Sequence, residues 1–181
     1  MMNLSRTPSS PEEEKGIPIT IAATHLDGLV LALTPNSHSY NYRSAVLFGH
    51  ATLVEDPEEK LYAMELITNS VVPNRWQNSR IPPNKAEMTS TSVLRVRIST
   101  GSAKIRSGEP HDDRGDLEDE ELKQRVWTGV VPVSLQFGEP IPASYNLVEG
   151  VPGYLEGWRG EVNEEGRRAA VEATVEPGDK K

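Results

Sequence analysis

The sequence contains no cysteine among its 181 residues. This absence excludes disulfide bonds, thiolate metal sites and a cysteine nucleophile, and it is typical of proteins from a reducing compartment. No apolar run approaches the roughly 20 residues that a membrane-spanning helix requires, and residues 1–15 lack the apolar centre of a secretory signal. We therefore expect a soluble, cytoplasmic protein without a membrane partner.

Basic residues are also scarce. Lys and Arg number 19 against 27 Asp and Glu, which gives a formal net charge of -8. A protein that binds the phosphate backbone of nucleic acids needs a basic face from which counterions are released. The charge balance therefore argues against a nucleic-acid partner.

Several common motifs are missing as well. The sequence has no G-x-S-x-G, no P-loop and no G-x-G-x-x-G, so the familiar hydrolase and dinucleotide signatures are absent. The histidines His25, His38, His50 and His111 do not fall in any metal-ligand spacing. We predict no metal site, and we expect these histidines to be solvated or hydrogen-bonded.

The chain length suits one domain with tails. Residues 1–15 are rich in Ser, Pro and Glu and offer little to bury, which predicts a disordered leader. Residues 16–142 form the predicted folded domain. Residues 143–181 turn to Gly, Glu, Arg and Pro without a period, so we expect a weakly ordered C-terminal tail.

The folded region shows strand patterns. From Ile17 to Thr24, apolar and other residues alternate at the period of a strand, and Asp27-Gly28 then predicts a hairpin turn into a second short strand. Residues 37–54 read as a long central strand. Further strands are expected at 93–98 and 126–135, the last at a sheet edge because it contains Pro132. Residues 101–125, which lie between these two strands and contain an acidic run, read as an exposed loop.

One substantial helix is predicted over residues 57–72. Asp56 suits the N-cap, Pro57 the first helical position, and Glu58 and Glu59 the first turn. Four apolar residues spaced three and four apart are expected to be buried: Leu61, Met64, Ile67 and Val71. About five antiparallel strands with one long crossover helix predict a mainly β fold, a small barrel with a helix packed outside it.

Two polar patches could carry chemistry. In Tyr42-Arg43-Ser44, a guanidinium and a hydroxyl could hold a phosphate or the polar edge of a ring. Ser102, Lys104 and Arg106 alternate, so an extended segment would place them on one face. The alternative for each patch is that its side chains only pair with one another at the surface or across neighbouring strands. Trp127 could equally be a side chain that fills the interior of the barrel.

Three segments together resemble the FMN-binding split-barrel family, in the branch related to pyridoxamine 5'-phosphate oxidase and the 5-nitroimidazole resistance proteins. They are NYRSAVLFGHATLVEDPEEKL, TSVLRVRISTGSAKIRSGEPHDD and VWTGVVPV, and the resemblance covers roughly residues 16–142. It implies an antiparallel split barrel that forms a homodimer, with FMN in two clefts between the subunits.

The resemblance also implies a function and a set of site residues. Members of the family use the flavin to pass a hydride or electrons to a small molecule. By position, Ser44 corresponds to a strand residue that contacts flavin in related oxidases, and Arg43 lies beside it. Lys104, Arg106 and Trp127 are further candidates for cofactor binding. We thus expect an FMN-dependent oxidoreductase acting on a small molecule.

The chain departs from the family pattern at its start. Family members begin with a helix and two strands, followed by a segment that grips the flavin phosphate, whereas this chain resembles the family from the next strand onward. An incomplete, N-terminally shortened barrel with an open edge is therefore expected. The alternative function is a non-catalytic binding or dimerisation module that has lost the phosphate grip. Heme and deazaflavin are alternative cofactors on the same barrel.

Overall fold

A computed structural model describes the backbone of residues 2–5 and all of residues 16–176. Its five strands form one antiparallel sheet in the order β1-β4-β3-β2-β5. The strands are β1 (Met2–Ser5), β2 (Ile17–Leu31), β3 (Ser39–Leu53), β4 (Leu94–Arg106) and β5 (Gly129–Pro132). The predicted mainly antiparallel β architecture is thus confirmed, with the strand that contains the Tyr42-Arg43-Ser44 patch at the centre of the sheet.

In the described part of the chain, five α-helices and one short 3₁₀ turn connect or follow these strands. They are the turn Pro35–Ser37 and the helices α1 (Pro57–Val71), α2 (Lys85–Ser90), α3 (Arg114–Glu118), α4 (Glu120–Arg125) and α5 (Gly153–Glu172). Within the described residues, none of the helices combines the length and the apolarity that crossing a membrane would need.

The Asp27-Gly28 pair does not form the predicted hairpin. β2 runs through it without a break, and its pairing with β3 shifts register between Leu26 and Gly28, which marks Asp27 as a β-bulge residue. Asp27 is 3% exposed, and its backbone carbonyl accepts a 2.9 Å hydrogen bond from Val133 N. A Cβ on Gly28 would lie 2.9 Å from Val130 Cγ1. Asp27 is therefore buried in a bulge, and Gly28 allows the close approach of β5. An Asp-Gly pair suits a bulge as well as a turn, and the local sequence does not distinguish the two.

β4 is longer than predicted. The sequence predicted a strand only over 93–98, but pairing with β3 continues to Arg106, which registers with Tyr42. The acidic region that follows contains the short helices α3 and α4, so the prediction of an exposed loop is wrong there. β5 pairs only with β2 and lies at the sheet edge, as Pro132 indicated.

Helix α1 begins as predicted, but its apolar stripe is not buried. Asp56 Oδ1 accepts hydrogen bonds from Glu58 N at 2.7 Å and from Glu59 N at 3.1 Å, which confirms the N-cap. No residue of α1 is buried among the described residues, and Ile67 and Val71 are 59% and 68% exposed. The predicted burial of this stripe is wrong for the described chain, because the periodicity of a helix does not say whether another element covers it.

Both predicted tails contain regular structure. In the leader, Met2–Ser5 pairs with β4, while residues 1 and 6–15 lie outside the described residues. In the C-terminal segment, α5 occupies 153–172, within the range for which the sequence predicted a weakly ordered tail. The Trp158 ring packs against Phe137 with a centroid distance of 4.9 Å, and Asn163 exchanges two hydrogen bonds with the Phe137 backbone. These contacts hold α5 in place. The glycines of this helix obscure its apolar periodicity in the sequence.

Register aligns one face of the three long strands into rows. Because side chains alternate across a strand, residues in register share a face. This apolar face consists of the rows Ile17-Ala51-Val96, Ile19-Gly49-Ile98, Ile21-Leu47-Gly101, Ala23-Ala45-Ala103 and His25-Arg43-Ile105. The face is apolar along its length until the last row, where His25 and Arg43 introduce charge.

Candidate functional site

A groove of about 380 Å³ lies at the polar end of the apolar face. Its lining comes from all three long strands and comprises Ala23, Thr24, His25, Arg43, Ser44, Ala45, Ala103 and Ile105. Six of these residues belong to the last two rows of the apolar face. The groove thus combines a nearly flat floor of small side chains with one charged edge.

Arg43 forms the charged edge and is held by a buried carboxylate. Its Nε donates to Asp27 Oδ2 at 2.9 Å and its Nη2 donates to Asp27 Oδ1 at 2.8 Å, a bidentate pair. The Asp27 side chain is 4% exposed, whereas that of Arg43 is 52% exposed. Hydrogen bonding to Asp27 raises the pKa of Arg43 further above its already high ordinary value, so the guanidinium stays charged at any physiological pH.

His25 lies next to this pair. It registers with Arg43 across β2 and β3, and its Nε2 is 3.7 Å from Asp27 Oδ1. Its side chain is 45% exposed and reaches the groove. The groove therefore has a titratable group beside a permanently charged one, both adjacent to a single buried carboxylate.

Ser44 and Lys104 lie opposite each other on neighbouring strands. Ser44 Oγ is 3.1 Å from Thr24 Oγ1, and both residues line the groove. Lys104 registers with Ser44, but its Nζ lies over the Tyr42 ring, 5.8 Å from the ring centroid. Successive residues of a strand point to opposite faces, so the register places the side chains of Thr24, Ser44 and Lys104 together on the face opposite Arg43.

Arg106 and Trp127 lie outside the groove. Arg106 donates to the side chain of Asn41 and, at 3.1 Å, to the carbonyl of Glu109. Asn41 is fully buried and donates at 3.0 Å to the carbonyls of Gly108 and Ala173, which ties the end of α5 to the sheet. Trp127 is 66% exposed and lies close to Gly129.

The structure therefore brings Arg43 and Ser44 into one groove and leaves Lys104, Arg106 and Trp127 outside its lining. A role in cofactor binding remains a prediction for all five. The sequence did not identify His25 and Asp27 as residues of the site. His25 belongs to no recognisable motif, and Asp27 was assigned to a hairpin turn. One signal was available: strand-like residues continue on both sides of Asp27-Gly28, which is also the pattern of a bulge.

The family is established by sequence. The family described as pyridoxamine 5'-phosphate oxidase matches residues 7–105, more than half of the 181-residue chain. The protein therefore belongs to this family of split-barrel proteins, which confirms the resemblance. The matched range contains the first motif segment and most of the second, whereas VWTGVVPV lies beyond it. No curated protein matches the chain.

Two solved structures share the fold over 87% of this chain. The flavocytochrome Anf3 from Azotobacter vinelandii is 25% identical, with a TM-score of 0.68 and 72% of its own chain covered. The FAD and heme binding protein from Mycobacterium smegmatis is 26% identical, with a TM-score of 0.69 and 76% of its chain covered. Both are similar to this chain in fold.

Proposed function

We propose that this protein binds a flavin, FMN or FAD, in the groove at the polar end of the apolar face. The observation that carries the proposal is the groove itself, which the central strand lines with Arg43, Ser44 and Ala45. Membership of the family supports it, as does the likeness to a flavocytochrome and to a FAD and heme binding protein.

The residues of the groove fit the chemistry of a flavin. An isoalloxazine ring is flat and largely apolar, with hydrogen-bonding atoms along one edge. Ala23, Ala45 and Ala103 register with one another and leave a flat apolar floor on which a ring can lie. Arg43 supplies N–H donors at the edge of that floor. Such a mainly apolar surface with a few placed polar groups is typical of cofactor sites.

We further propose that the flavin serves an oxidoreductase reaction on a small molecule. A bound flavin supplies hydride or single-electron transfer, and the protein's part is to orient the ring and to set the charge near it. The alternative is a non-catalytic binding module. It is favoured by the engagement of Arg43 with Asp27, which occupies two of the donors of that guanidinium. The cysteine-free composition suits a reducing cytoplasm.

The purified full chain tests flavin binding directly. We expect FMN or FAD fluorescence to be quenched on titration with the protein, to saturate at one flavin per chain, and to be regained when the protein is denatured. Separate titrations with hemin and with a deazaflavin, each followed by absorbance, distinguish the other cofactors. Absence of any flavin quenching at micromolar protein would refute the proposal. Reduction of bound flavin by NADH or NADPH with turnover of an electron acceptor would favour the enzyme over the binding module.

We also propose that the protein is a homodimer. Seven apolar residues are buried among the described residues, few for a chain of this length: Val30, Ala32, Leu33, Ala51, Val54, Val93 and Ala170. On the apolar face Ala51 is buried, but Ile17, Ile98 and Ile105 are 73%, 54% and 69% exposed. Continuous exposed apolar surface of this kind is typical of interaction sites. Association of two copies through this face would also enclose the groove, which is open in a single chain.

Light scattering with size-exclusion chromatography measures this assembly. We expect a mass close to twice the 19.9 kDa of one chain. Ile98→Glu places a charge on the apolar face and should give a monomer or an aggregate. Ile141→Glu is the matched control, because Ile141 is 91% exposed and lies outside the sheet, so it should leave the dimer intact. A monomeric wild-type chain would contradict the proposal.

A further inference from the structure

We propose that α5 is a positioning element of the flavin groove, and that it acts through the buried side chain of Asn41. Among the residues that line the groove, none belongs to α5. Two sets of contacts nevertheless connect this helix to Asp27, the bulge residue that holds Arg43 at the charged edge. The inference rests on the proposed flavin site and deepens it, because it names the part of the chain that sets the geometry of that site from outside.

Asn41 joins three parts of the chain at one buried point. It is fully buried, and its Nδ2 donates at 3.0 Å to the carbonyls of Gly108 and Ala173. Ala173 is the C-cap of α5, and its carbonyl also accepts a 2.9 Å hydrogen bond from Gly108 N. Arg106 donates to Asn41 Oδ1, so both polar atoms of the buried amide are paired. The end of α5 is therefore fixed to β3 and to the residues after β4.

The backbone of Asn41 lies at the bulge. Asn41 pairs with Gly28, the residue directly after Asp27, and the register shift of the bulge falls immediately before this pair. A bulge changes the local twist of the two strands and thereby the direction of the side chain on the extra residue. A displacement of Asn41 should therefore displace Asp27. Arg43 should follow, because both of its hydrogen bonds to Asp27 depend on where that carboxylate lies.

A second set of contacts connects α5 to the same bulge residue through the segment after β5. Val133 N donates at 2.9 Å to the backbone carbonyl of Asp27. Further along this segment, the Phe137 ring packs against Trp158 of α5 with a centroid distance of 4.9 Å. The backbone N and O of Phe137 form hydrogen bonds of 2.7 and 2.9 Å with the Asn163 side chain. α5 therefore also holds the segment that fixes the backbone of the bulge.

These contacts predict an energetic coupling between α5 and the groove. A contiguous set of hydrogen bonds and packed side chains can transmit a displacement, and coupling between two sites typically changes an affinity by about fivefold or more. Arg43 tolerates little displacement, because a bidentate pair needs both nitrogens within hydrogen-bond distance of both carboxylate oxygens. Loosening α5 should thus weaken flavin binding without removing any residue that lines the groove.

The Nε proton of Arg43 reports this geometry in the absence of flavin. Nε donates to the buried carboxylate of Asp27, so its proton should give an NMR signal in the full chain that exchanges slowly with water. Arg43→Lys removes this signal and thereby assigns it. The Nε proton of Arg95 is the reference, because its partner Glu59 is half exposed and its exchange should be faster.

Two variants loosen α5 at different points. Asn163→Ala releases Phe137, and Asn41→Asp replaces the amide that donates to Ala173 with an acceptor of the same shape. In each variant we expect the Nε proton of Arg43 to exchange about fivefold faster and the dissociation constant for FMN to rise about fivefold. The hydrogen bonds of Asn163 are exposed, so Asn163→Ala tests the inference even where Asn41→Asp fails to fold.

Glu164→Ala is the matched control. Glu164 pairs with Arg167 at 2.6 Å within α5, so its loss perturbs the same helix without releasing Phe137 or Asn41. This variant should leave both the Arg43 signal and the affinity for FMN as in the wild type. All variants are compared at a temperature at which their denaturation curves show them to be folded.

A purely structural role of α5 would lower the denaturation midpoint and change neither the Arg43 signal nor the affinity for FMN. That result in Asn163→Ala, or an equal effect of Glu164→Ala, would overturn the inference. Faster exchange of the Arg43 proton in a chain that binds no flavin would support the link from α5 to Arg43 and refute the proposed flavin site. Flavin binding with an unchanged Arg43 signal in both variants would do the reverse.

Discussion

Gly49→Ala is expected to destabilise the protein by about 3 kcal/mol or more, a large effect for the addition of a single methyl group. A Cβ at position 49 would lie 2.2 Å from the carbonyl oxygen of Arg97 and 3.0 Å from its carbonyl carbon. Both are backbone atoms of β4, which cannot rotate away as a side-chain tip can. The pairing of β3 with β4 shifts register between Phe48 and Gly49, so the two backbones come unusually close at this bulge.

Gly157→Ala is the matched control for this prediction. Gly157 is exposed in the second turn of α5, and no described atom outside the neighbouring residues and backbone of that helix lies within 4 Å of a Cβ placed there. Alanine in an exposed helix interior should stabilise by about 0.5–1 kcal/mol through helix propensity alone. The same substitution thus has opposite expected signs at the two sites, which urea denaturation of the full chain measures. A Gly49→Ala variant as stable as the wild type would mean that the two strands do not approach each other this closely.

Arg43→Ala should destabilise the fold by about 3 kcal/mol as well as remove the charged edge of the groove. The sequence alone suggested that this substitution would weaken cofactor binding and leave the fold intact. The structure changes that expectation, because Asp27 is 4% exposed and would lose its bidentate partner. An uncompensated buried carboxylate is among the few defects that produce effects of this size.

A double-mutant cycle separates the two roles of Arg43. Asp27→Ala with Arg43→Ala removes the stranded carboxylate, so the double variant should regain part of the stability that Arg43→Ala loses. Arg95→Ala is the control: Arg95 pairs with Glu59 in the same bidentate manner, but with side chains 62% and 38% exposed, so solvent screens that pair and its loss should shift the midpoint far less. Equal shifts for Arg43→Ala and Arg95→Ala would show that burial of Asp27 does not matter.

Local patterns in the sequence were sufficient for elements whose cause is local. The N-cap at Asp56, the alternating strand from Ile17 to Thr24 and the edge position of β5 depend on neighbouring residues, and all three are present in the structure. The strand pattern over residues 37–54 likewise placed Tyr42-Arg43-Ser44 on the central strand. Residue type and spacing alone carry this kind of information.

Predictions failed where a distant residue decides the outcome. Asp27-Gly28 is locally compatible with both a turn and a bulge, and the choice depends on Arg43, Val130 and Val133, which lie far along the chain. The apolar stripe of α1 is locally compatible with burial, yet none of its residues is fully buried in the described chain, and Ile67 and Val71 are exposed. α5 is held by the packing of Trp158 against Phe137 and by two hydrogen bonds between the Asn163 side chain and the Phe137 backbone. The composition of α5 alone reveals neither contact.

The sequence by itself determined the family, the antiparallel β class and two residues of the groove, Arg43 and Ser44. Only the tertiary structure decided that Arg43 is paired with a buried Asp27, that His25 stands beside it, and that Lys104 faces the other side of the sheet. The physical reason is register: which side chains share a face is set by the alignment of whole strands, and a single bulge residue is enough to change it.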